Sequence, residues 1–308
     1  MKWVYPDYYP QFQCIAGSCR HNCCVGWEID IDFSSMRKYM RMKGPMGDRL
    51  RKNIESSGLG GHFVLDDQER CPLLNKNGLC DLILGKGEKA LCQICQDHPR
   101  YRLRLTDREE IGVGLCCEAA CRLILDRKEP VRLVLEDNGR SKTQLKKSEK
   151  EGLERRERLL CIAQDRNISV YERMDRILDA EEEGFPDIPF REWVDALLRL
   201  ERLDDAWTQW LKKRRNGPII AAVDDIRQEQ LLVYFLYRHY LNVCRNGKFY
   251  CGAASFCVLS TQLIVLLCEK PSDIYEITRM YSAEIEYSEE NLDAMMGMLC
   301  EYNGGFEK

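Results

Sequence analysis

Residues 14–24 read CIAGSCRHNCC, so that four cysteines fall within eleven positions near the start of the chain. Seven more follow by position 121, and eleven of the seventeen cysteines therefore lie in the first 121 residues. The later seven are Cys71, Cys80, Cys92, Cys95, Cys116, Cys117 and Cys121. Clustering of this strength points to disulfide bonds or to a metal centre.

Disulfide bonds are the weaker of these two interpretations. A chain of 308 residues buries enough apolar surface to fold without covalent staples. Its first residues, MKWVYPD, contain no apolar run followed by a small-residue cleavage site, so no secretion signal is expected. In a reducing compartment, clustered cysteines more often bind metal or do chemistry. We therefore expect a cytoplasmic protein with a cysteine-held metal centre.

The cysteine spacing leaves the kind of centre open. The Cys-x4-Cys-x3-Cys-Cys run can wrap a loop around one centre, and a Cys-x2-Cys such as Cys92 and Cys95 closes sites in zinc ribbons and iron-sulfur proteins. Adjacent side chains diverge by about 100° on a helix, so each adjacent pair either gives one ligand and one buried side chain or bridges two centres. Zinc and iron-sulfur both accept four thiolates. His21 and His98 lie within these motifs as further candidates, although loop histidines are more often held by hydrogen bonds alone.

The charge balance argues against binding to nucleic acid. The chain has 46 basic and 50 acidic residues and a net charge of −4, which gives no global basic field. One stretch, residues 252–268, is seventeen residues long without a charge. It is short for a membrane span and carries Ser255, Ser260 and Thr261, so we expect a buried helix and no membrane insertion.

Hydrophobic periodicity predicts a mainly α fold with two domains. Residues 1–125 are predicted to form a loop-rich cysteine and metal domain with a few short strands. Residues 126–158 are predicted to be a charged connection, and residues 159–308 a helical domain. Within that domain, residues 230–241 have the pattern of an apolar helix, and Ser288 is a suitable N-cap for a final helix.

A set of short motifs is spread along the chain from position 9 to position 292. The motifs are YPQFQCIA (9–16), GWEIDID (26–32), RCPLLN (70–75), GLCD (78–81), CQDHPR (95–100), GLCCEAA (114–120), YRHY (237–240) and YSAEIEYSEENL (281–292). Together they resemble the flagellin lysine-N-methylase family, which is related to a wider group of cysteine-cluster proteins described as zinc or iron chelators.

The resemblance implies a lysine N-methyltransferase that uses S-adenosylmethionine and acts on flagellin. It also implies a cysteine-ligated centre, a [4Fe-4S] cluster or alternatively zinc. The ligand candidates are Cys14, Cys19, Cys23, Cys24, Cys71, Cys80, Cys95, Cys116 and Cys117. Lysine methylation requires that an ammonium with a pKa of about 10.4 lose its proton. By resemblance, the candidate catalytic residues are Glu284, Glu286 and Tyr281, and the candidate substrate-binding residues are Arg238 and His239.

The sequence lacks the usual signatures of a site for S-adenosylmethionine. No glycine-rich turn follows a first strand in a βαβ pattern, as class I methyltransferases require. The Cys-x3-Cys-x2-Cys motif of radical enzymes is also unmet, because Gly26 stands where a third cysteine would follow Cys19 and Cys23. We therefore expect the cofactor to be bound in another way, such as at an open iron position of the cluster. Two other interpretations stay open: a non-enzymatic zinc- or iron-binding protein, and a zinc-stabilised protein-interaction module.

Overall fold

Helices dominate the described part of the chain, and its strands all lie in the first 140 residues. The computed structural model describes residues 2–26, 28–137, 139, 143–217, 223–241 and 252–304. Its strands are β1 (Lys2–Pro6), β2 (Asp30–Ile31), β3 (Ile54–Ser57), β4 (Gly60–Phe63), β5 (Arg100–Arg104), β6 (Arg108–Val113) and β7 (Leu133–Asp137). Its helices are α1 (Phe33–Arg41), α2 (Pro45–Lys52), α3 (Asp81–Lys86), α4 (Gln93–Asp97), α5 (Glu118–Leu125), α6 (Lys147–Ala163), α7 (Val170–Glu181), α8 (Phe190–Leu197), α9 (Asp205–Arg214), α10 (Asp225–His239), α11 (Ala253–Leu267), α12 (Ile274–Tyr281) and α13 (Glu289–Tyr302). The predicted mainly α class is confirmed.

The chain divides into two compact units whose limits differ from those of the predicted domains. The helical unit contains Met1–Phe12 and Arg102–Lys308, and the cysteine unit contains Gln13–Tyr101. The sequence predicts divisions at residues 125 and 158 instead. The difference arises because β1 pairs with strands far along the chain, lying parallel to β6 and antiparallel to β7. This pairing places the first residues of the chain with the helices.

A buried arginine connects the sheet of the helical unit to two helices. Its strand order is β5-β6-β1-β7, and Glu110 of β6 faces α6. The side chain of Arg156 in α6 is 2% exposed and binds the Glu110 carboxylate through two hydrogen bonds, Nη1 to Oε2 at 2.6 Å and Nη2 to Oε1 at 2.8 Å. The same Nη1 donates to the carbonyl oxygen of Tyr237 in α10 at 3.2 Å. One guanidinium therefore joins the sheet, α6 and α10.

We expect Arg156→Leu to lower the free energy of unfolding by about 3–5 kcal/mol, because the change leaves the Glu110 carboxylate buried without its partner. Arg158→Leu is the matched control, since Arg158 is exposed on the same helix and its loss should cost no more than about 1 kcal/mol. Urea unfolding followed by circular dichroism measures both variants. Equal losses in the two would contradict the importance of the buried pair.

Helices α10 and α11 pack against each other at the centre of the helical unit. Every residue of α10 from Gln228 to His239 is buried, and nearly all of α11 is buried as well. The buried helix predicted for residues 252–268 is confirmed as α11. Among the described residues, no helix has both the length and the apolar composition needed to cross a membrane.

The cysteine unit is built on a small sheet with the strand order β2-β4-β3. Strands β3 and β4 form a hairpin in which Gly58 has a φ of +56°, a left-handed conformation that glycine adopts without steric cost. Helix α1 follows β2 and covers this sheet, with Tyr39 fully buried against Phe63. The core of the unit also contains Cys71 and Cys92, so two of the clustered cysteines are part of its packing. Trp27, which belongs to one of the motifs, lies outside the described residues.

Candidate active site and thiol cluster

A π-helical turn, Ser282–Glu286, separates α12 from α13 and carries both candidate catalytic glutamates. Such turns are rare and frequently occur at functional sites. Within the turn the two carboxylates have different partners. Glu284 accepts hydrogen bonds from the backbone N–H groups of Leu203 at 3.0 Å and Asp204 at 2.6 Å, at the start of α9. The Glu286 side chain instead faces α10, so the structure brings only one of the two to the other predicted site residues.

Glu286 is the centre of a buried cluster formed with three side chains of α10. Its Oε2 atom lies 2.6 Å from His239 Nε2, 2.9 Å from the Tyr234 hydroxyl and 3.2 Å from Arg238 Nη1. Arg238 Nη1 also donates to the Tyr234 hydroxyl at 2.6 Å. Tyr234 and Arg238 are one helical turn apart and share a side of α10, and His239, about 100° further round the helix, contacts the same carboxylate. The arrangement places one carboxylate among a cation, an imidazole and a phenol.

The charges of this cluster follow from its burial. Burial alone would raise the pKa of Glu286, but the neighbouring Arg238 guanidinium and the His239 hydrogen bond outweigh it and lower that pKa. Burial lowers the pKa of His239, and the attraction of Glu286 offsets this only in part. At neutral pH Glu286 is therefore ionised and His239 is neutral, donating its Nε2–H to the carboxylate. Because its pKa is lowered, such a carboxylate stabilises a neighbouring cation and accepts a proton only in passing, on its way to solvent.

The segment Gly114 to Cys116, within one of the recognised motifs, packs directly on this cluster. The Leu115 N–H donates to the Tyr234 hydroxyl at 3.3 Å. A Cβ atom on Gly114 would lie 2.1 Å from the Tyr287 hydroxyl, so a larger residue here would displace the Tyr287 side chain. Burial raises the pKa of Cys116 to about 12 although a hydrogen bond with Tyr287 opposes the rise. Cys116 therefore belongs to the surroundings of Glu286 within the helical unit.

The Tyr287 ring is the part of these surroundings that reaches the surface. The side chain is 42% exposed, and the Arg238 guanidinium lies 4.8 Å from the centre of its ring. Tyr281, by contrast, is fully buried and donates from its hydroxyl to Ser260 Oγ at 2.8 Å. Tyr281 thus lies in the aromatic core beside the cluster and is hydrogen-bonded away from Glu286.

The cysteine unit contains a second grouping, a thiol cluster of six cysteines. Backbone pairing brings distant segments together: the Cys71 N–H donates to the Cys24 carbonyl oxygen at 2.8 Å, and Leu74 forms a β-bridge with Cys80. Hydrogen bonds join the thiols of Cys23 and Cys24 and also those of Cys92 and Cys95. The thiol cluster consists of Cys23, Cys24, Cys71, Cys80, Cys92 and Cys95.

The members of the thiol cluster are close enough to disfavour each other's ionisation. The hydrogen bond to Cys92, burial and the proximity of Cys24 and Cys71 raise the pKa of Cys95 well above its ordinary value. Burial, with a contribution from Cys80 and Cys92, raises the pKa of Cys71 to about 11. A bound cation would remove this penalty, and thiolates are the donors that zinc and iron-sulfur clusters prefer. Among the described residues, however, no three His, Cys, Asp or Glu side chains are arranged to hold an ion, so a metal stays a prediction.

The other predicted ligands lie outside the thiol cluster. The Cys14 sulfur accepts a hydrogen bond from the Ala16 N–H at 3.4 Å, and the Cys19 thiol donates to the His21 carbonyl oxygen at 3.2 Å. Cys116 and Cys117 are in the helical unit. Cys92 is a member that the predicted ligand set omits, although its Cys-x2-Cys spacing with Cys95 was the signal for it.

Asp32 fixes the helix that carries the Cys92 and Cys95 thiols. Its Oδ1 atom accepts from the Ser35 N–H at 3.0 Å and caps α1, while its Oδ2 atom accepts from the Gln93 N–H at 2.9 Å at the start of α4. Partial burial would raise the pKa of Asp32, but these hydrogen bonds outweigh it and hold that pKa well below its usual range. One carboxylate therefore connects the two helices.

We expect Asp32→Ala to cost about 1–2 kcal/mol of local stability, because two helix starts lose their cap. Since the folded pKa lies below the unfolded one, the contribution of Asp32 is present above about pH 4 and is lost as the pH falls further. Hydrogen exchange of α1 and α4 measures the loss. Asp30→Ala is the control, because Asp30 is exposed two residues away, and an equal effect there would contradict the prediction.

Comparisons with known proteins point to one kind of enzyme. No protein-family model matches the chain, and no solved structure matches it. Over 134 residues, 42% of the chain, it is 25% identical to proteins named Lysine-N-methylase from Salmonella typhimurium and Salmonella choleraesuis, of which the match covers 33% each. It is equally similar to the flagellar biosynthetic protein FliU of Salmonella muenchen, of which the match covers 79%. The chain thus matches about a third of the length of the two lysine-N-methylases, and its resemblance to that family is confirmed over this range.

Proposed function

We propose that this chain is a protein-lysine N-methyltransferase that uses S-adenosylmethionine and modifies flagellin in the cytoplasm. The similarity to proteins named Lysine-N-methylase carries the proposal, and the name of the FliU relative supports a flagellar substrate. The Glu286 cluster supports it with the chemistry that such a reaction requires.

Methyl transfer to lysine requires a neutral amine, and Glu286 is the group that takes the proton from the lysine ammonium. The amine nitrogen forms a bond with the methyl carbon, the bond from that carbon to the sulfonium sulfur breaks, and the displaced proton of the ammonium goes to a base. Glu286 is ionised, and Arg238 and His239 stabilise its charge beforehand. The cluster is buried, so we place the entry of the lysine at Tyr287, whose ring reaches the surface.

We further propose that the thiol cluster holds the metal centre. Its thiols fit a [4Fe-4S] cluster, with zinc as the alternative, by donor type and number. When bound, an iron-sulfur cluster with an open iron position would offer a Lewis acid for the amino and carboxylate groups of S-adenosylmethionine. The residues that would hold it are Cys24, Cys71, Cys80, Cys92 and Cys95, of which four are required.

A methylation assay tests the function directly. Protein purified without oxygen is incubated with flagellin and methyl-labelled S-adenosylmethionine, and the product is hydrolysed to detect N-methyl-lysine. We expect label in lysine, and a loss of about 100- to 10,000-fold in kcat for Glu286→Gln, as for removal of a general base. Glu289→Gln, an exposed change three residues away, should keep the activity. Metal-replete protein that transfers no label would contradict the proposal.

A second candidate is favoured by the thiol cluster, which lies wholly within the cysteine unit. A structural zinc there would stabilise a module that binds a partner protein without chemistry. Stoichiometric zinc, no colour and no methyl transfer would favour this candidate over the methyltransferase.

A further inference from the structure

The solvent-facing side of α1 in the cysteine unit is basic. At 100° per residue, the buried side chains Ser35, Met36 and Tyr39 define one side of the helix. The opposite side is centred on Arg37 and Arg41, both of which are exposed. The packing of α1 therefore turns its cations outward as a group.

The basic character continues through the turn into α2. Between positions 33 and 52 the chain has seven cations and a single anion, whereas the whole chain has a net charge of −4. The cations are Arg37, Lys38, Arg41, Lys43, Arg49, Arg51 and Lys52, and the anion is Asp48. Charge of one sign is thus concentrated on two consecutive helices of an otherwise acidic protein.

Two of these cations form ion pairs within the described residues, and the other five do not. Arg49 pairs with Asp81 at 2.6 Å, and Arg51 binds Asp48 and the Met42 carbonyl oxygen at the end of α1. Within the described ranges, no carboxylate lies within ion-pair distance of the remaining five cations, which are Arg37, Lys38, Arg41, Lys43 and Lys52. Stabilisation of helix C-termini accounts for Lys38, Arg41 and Lys52, which lie in the last turns of α1 and α2. It does not account for Arg37 at the middle of α1 or for Lys43 in the turn that follows.

Apolar side chains are exposed among these cations. Phe33 is 50% exposed with the Arg37 guanidinium 5.7 Å from its ring centre, and Met40 is 38% exposed. Arginine, methionine and aromatic residues together are typical of the surfaces that proteins use to bind one another. We call the five unpaired cations together with Phe33 and Met40 the basic face.

The charge distribution selects the kind of partner. Screening limits the field of the basic face to about 8 Å at physiological salt, so a short acidic segment experiences the basic face alone. A long polyanion or an anionic membrane also meets the rest of a chain whose net charge is −4. A membrane-binding helix inserts its apolar side into lipid. The apolar side of α1, which includes Met36 and Tyr39, is already buried within the protein.

We propose that the basic face is a docking surface for an acidic segment of a partner protein. If the chain methylates a protein, that partner is the substrate, a step that rests on the proposed function. The docking itself requires the basic face and no methyl transfer.

The docking is tested without a methyl donor, so that its failure and that of the methylation assay are distinguishable. A fluorescein-labelled poly-glutamate peptide is titrated with the full chain at low salt, and its anisotropy is read. We expect salt-sensitive binding that weakens about tenfold or more in a variant with four reversed charges. The variant combines Arg37→Glu, Lys38→Glu, Arg41→Glu and Lys43→Glu. In the methylation assay, the same variant should raise KM for flagellin about tenfold and leave kcat unchanged.

A matched control variant reverses four exposed cations of the helical unit. It combines Lys128→Glu, Lys147→Glu, Arg158→Glu and Lys212→Glu. Circular dichroism verifies that both variants are folded. Retention of binding in the control and loss in the basic-face variant support the proposal. It is overturned if the peptide does not bind, if the control weakens binding equally, or if single-stranded DNA or phosphatidylglycerol vesicles bind the basic face more tightly than the peptide.

Discussion

Glu286→Ala is expected to lower the free energy of unfolding by about 3–5 kcal/mol, among the largest effects of any single substitution in this chain. The change removes the carboxylate that pairs with Arg238, whose side chain is 8% exposed, and it removes the hydrogen bonds that Glu286 forms with the Tyr234 hydroxyl and His239. Buried donors that lose their partner retain the full cost of having left water. Urea unfolding of the full chain measures the loss.

A double variant separates the stability of the cluster from its chemistry. Glu286→Leu with Arg238→Leu removes both charges, and such replacements of buried pairs by apolar residues are often neutral or stabilising. We therefore expect the double variant to recover much of the stability that Glu286→Leu alone loses, while methyl transfer stays absent. Recovery of activity along with stability would contradict the assignment of Glu286 as the base.

The same cluster predicts sensitivity to acid. The folded state lowers the pKa of both His239 and Glu286, so the unfolded chain binds more protons as the pH falls. Stability should decrease below about pH 6.5 through His239 and again below about pH 4.3 through Glu286. The double variant should lose the second decrease. Glu289→Ala, an exposed change in α13, serves as the control and should leave the pH profile unchanged.

Local patterns in the sequence predict the helices but not the pairing of strands that are far apart in the chain. The apolar run in α11 and the Ser288 cap of α13, which accepts from the Asn291 N–H at 3.2 Å, are properties of neighbouring residues. The pairing of β1 with β6 joins Lys2 to Arg108, and no local pattern encodes a contact over that separation. The predicted boundary at residue 125 therefore groups the first residues with the cysteines, whereas the strand pairing groups them with the helices.

The residues of the candidate site were likewise predicted only in part. Resemblance identifies Arg238, His239 and Glu286, which the structure brings together. It does not distinguish Glu286 from Glu284, because a π-helical turn directs side chains differently from the α-helical spacing that a sequence pattern assumes. Tyr234 was not singled out, although it precedes Arg238 by one helical turn and binds the same carboxylate.

The thiol cluster predicts a sharp dependence of metal content on single cysteines. Protein purified without oxygen is expected to contain about four irons and four acid-labile sulfides per chain, with visible absorption that bleaches on reduction. Cys71→Ala and Cys95→Ala should lose most of this metal, because each removes a sulfur ligand from the thiol cluster, where burial and neighbouring thiols raise the pKa of both groups and a bound cation would favour their ionisation. Metal binding of this kind also stabilises the fold, so we expect the cysteine unit to exchange its amide hydrogens faster in both variants.

The chain offers two matched controls for this prediction. Cys257 is fully buried in α11 of the helical unit, and Cys161 is exposed on α6. Alanine at Cys257 opens a cavity similar to that at Cys71, and alanine at Cys161 removes an accessible thiol, yet neither should change the metal content. Equal loss of metal in Cys257→Ala and Cys71→Ala would show that unfolding, and not ligand removal, releases the metal. Zinc without sulfide in the unaltered chain would instead exclude the iron-sulfur proposal, and the methyl donor would then have to bind without an iron.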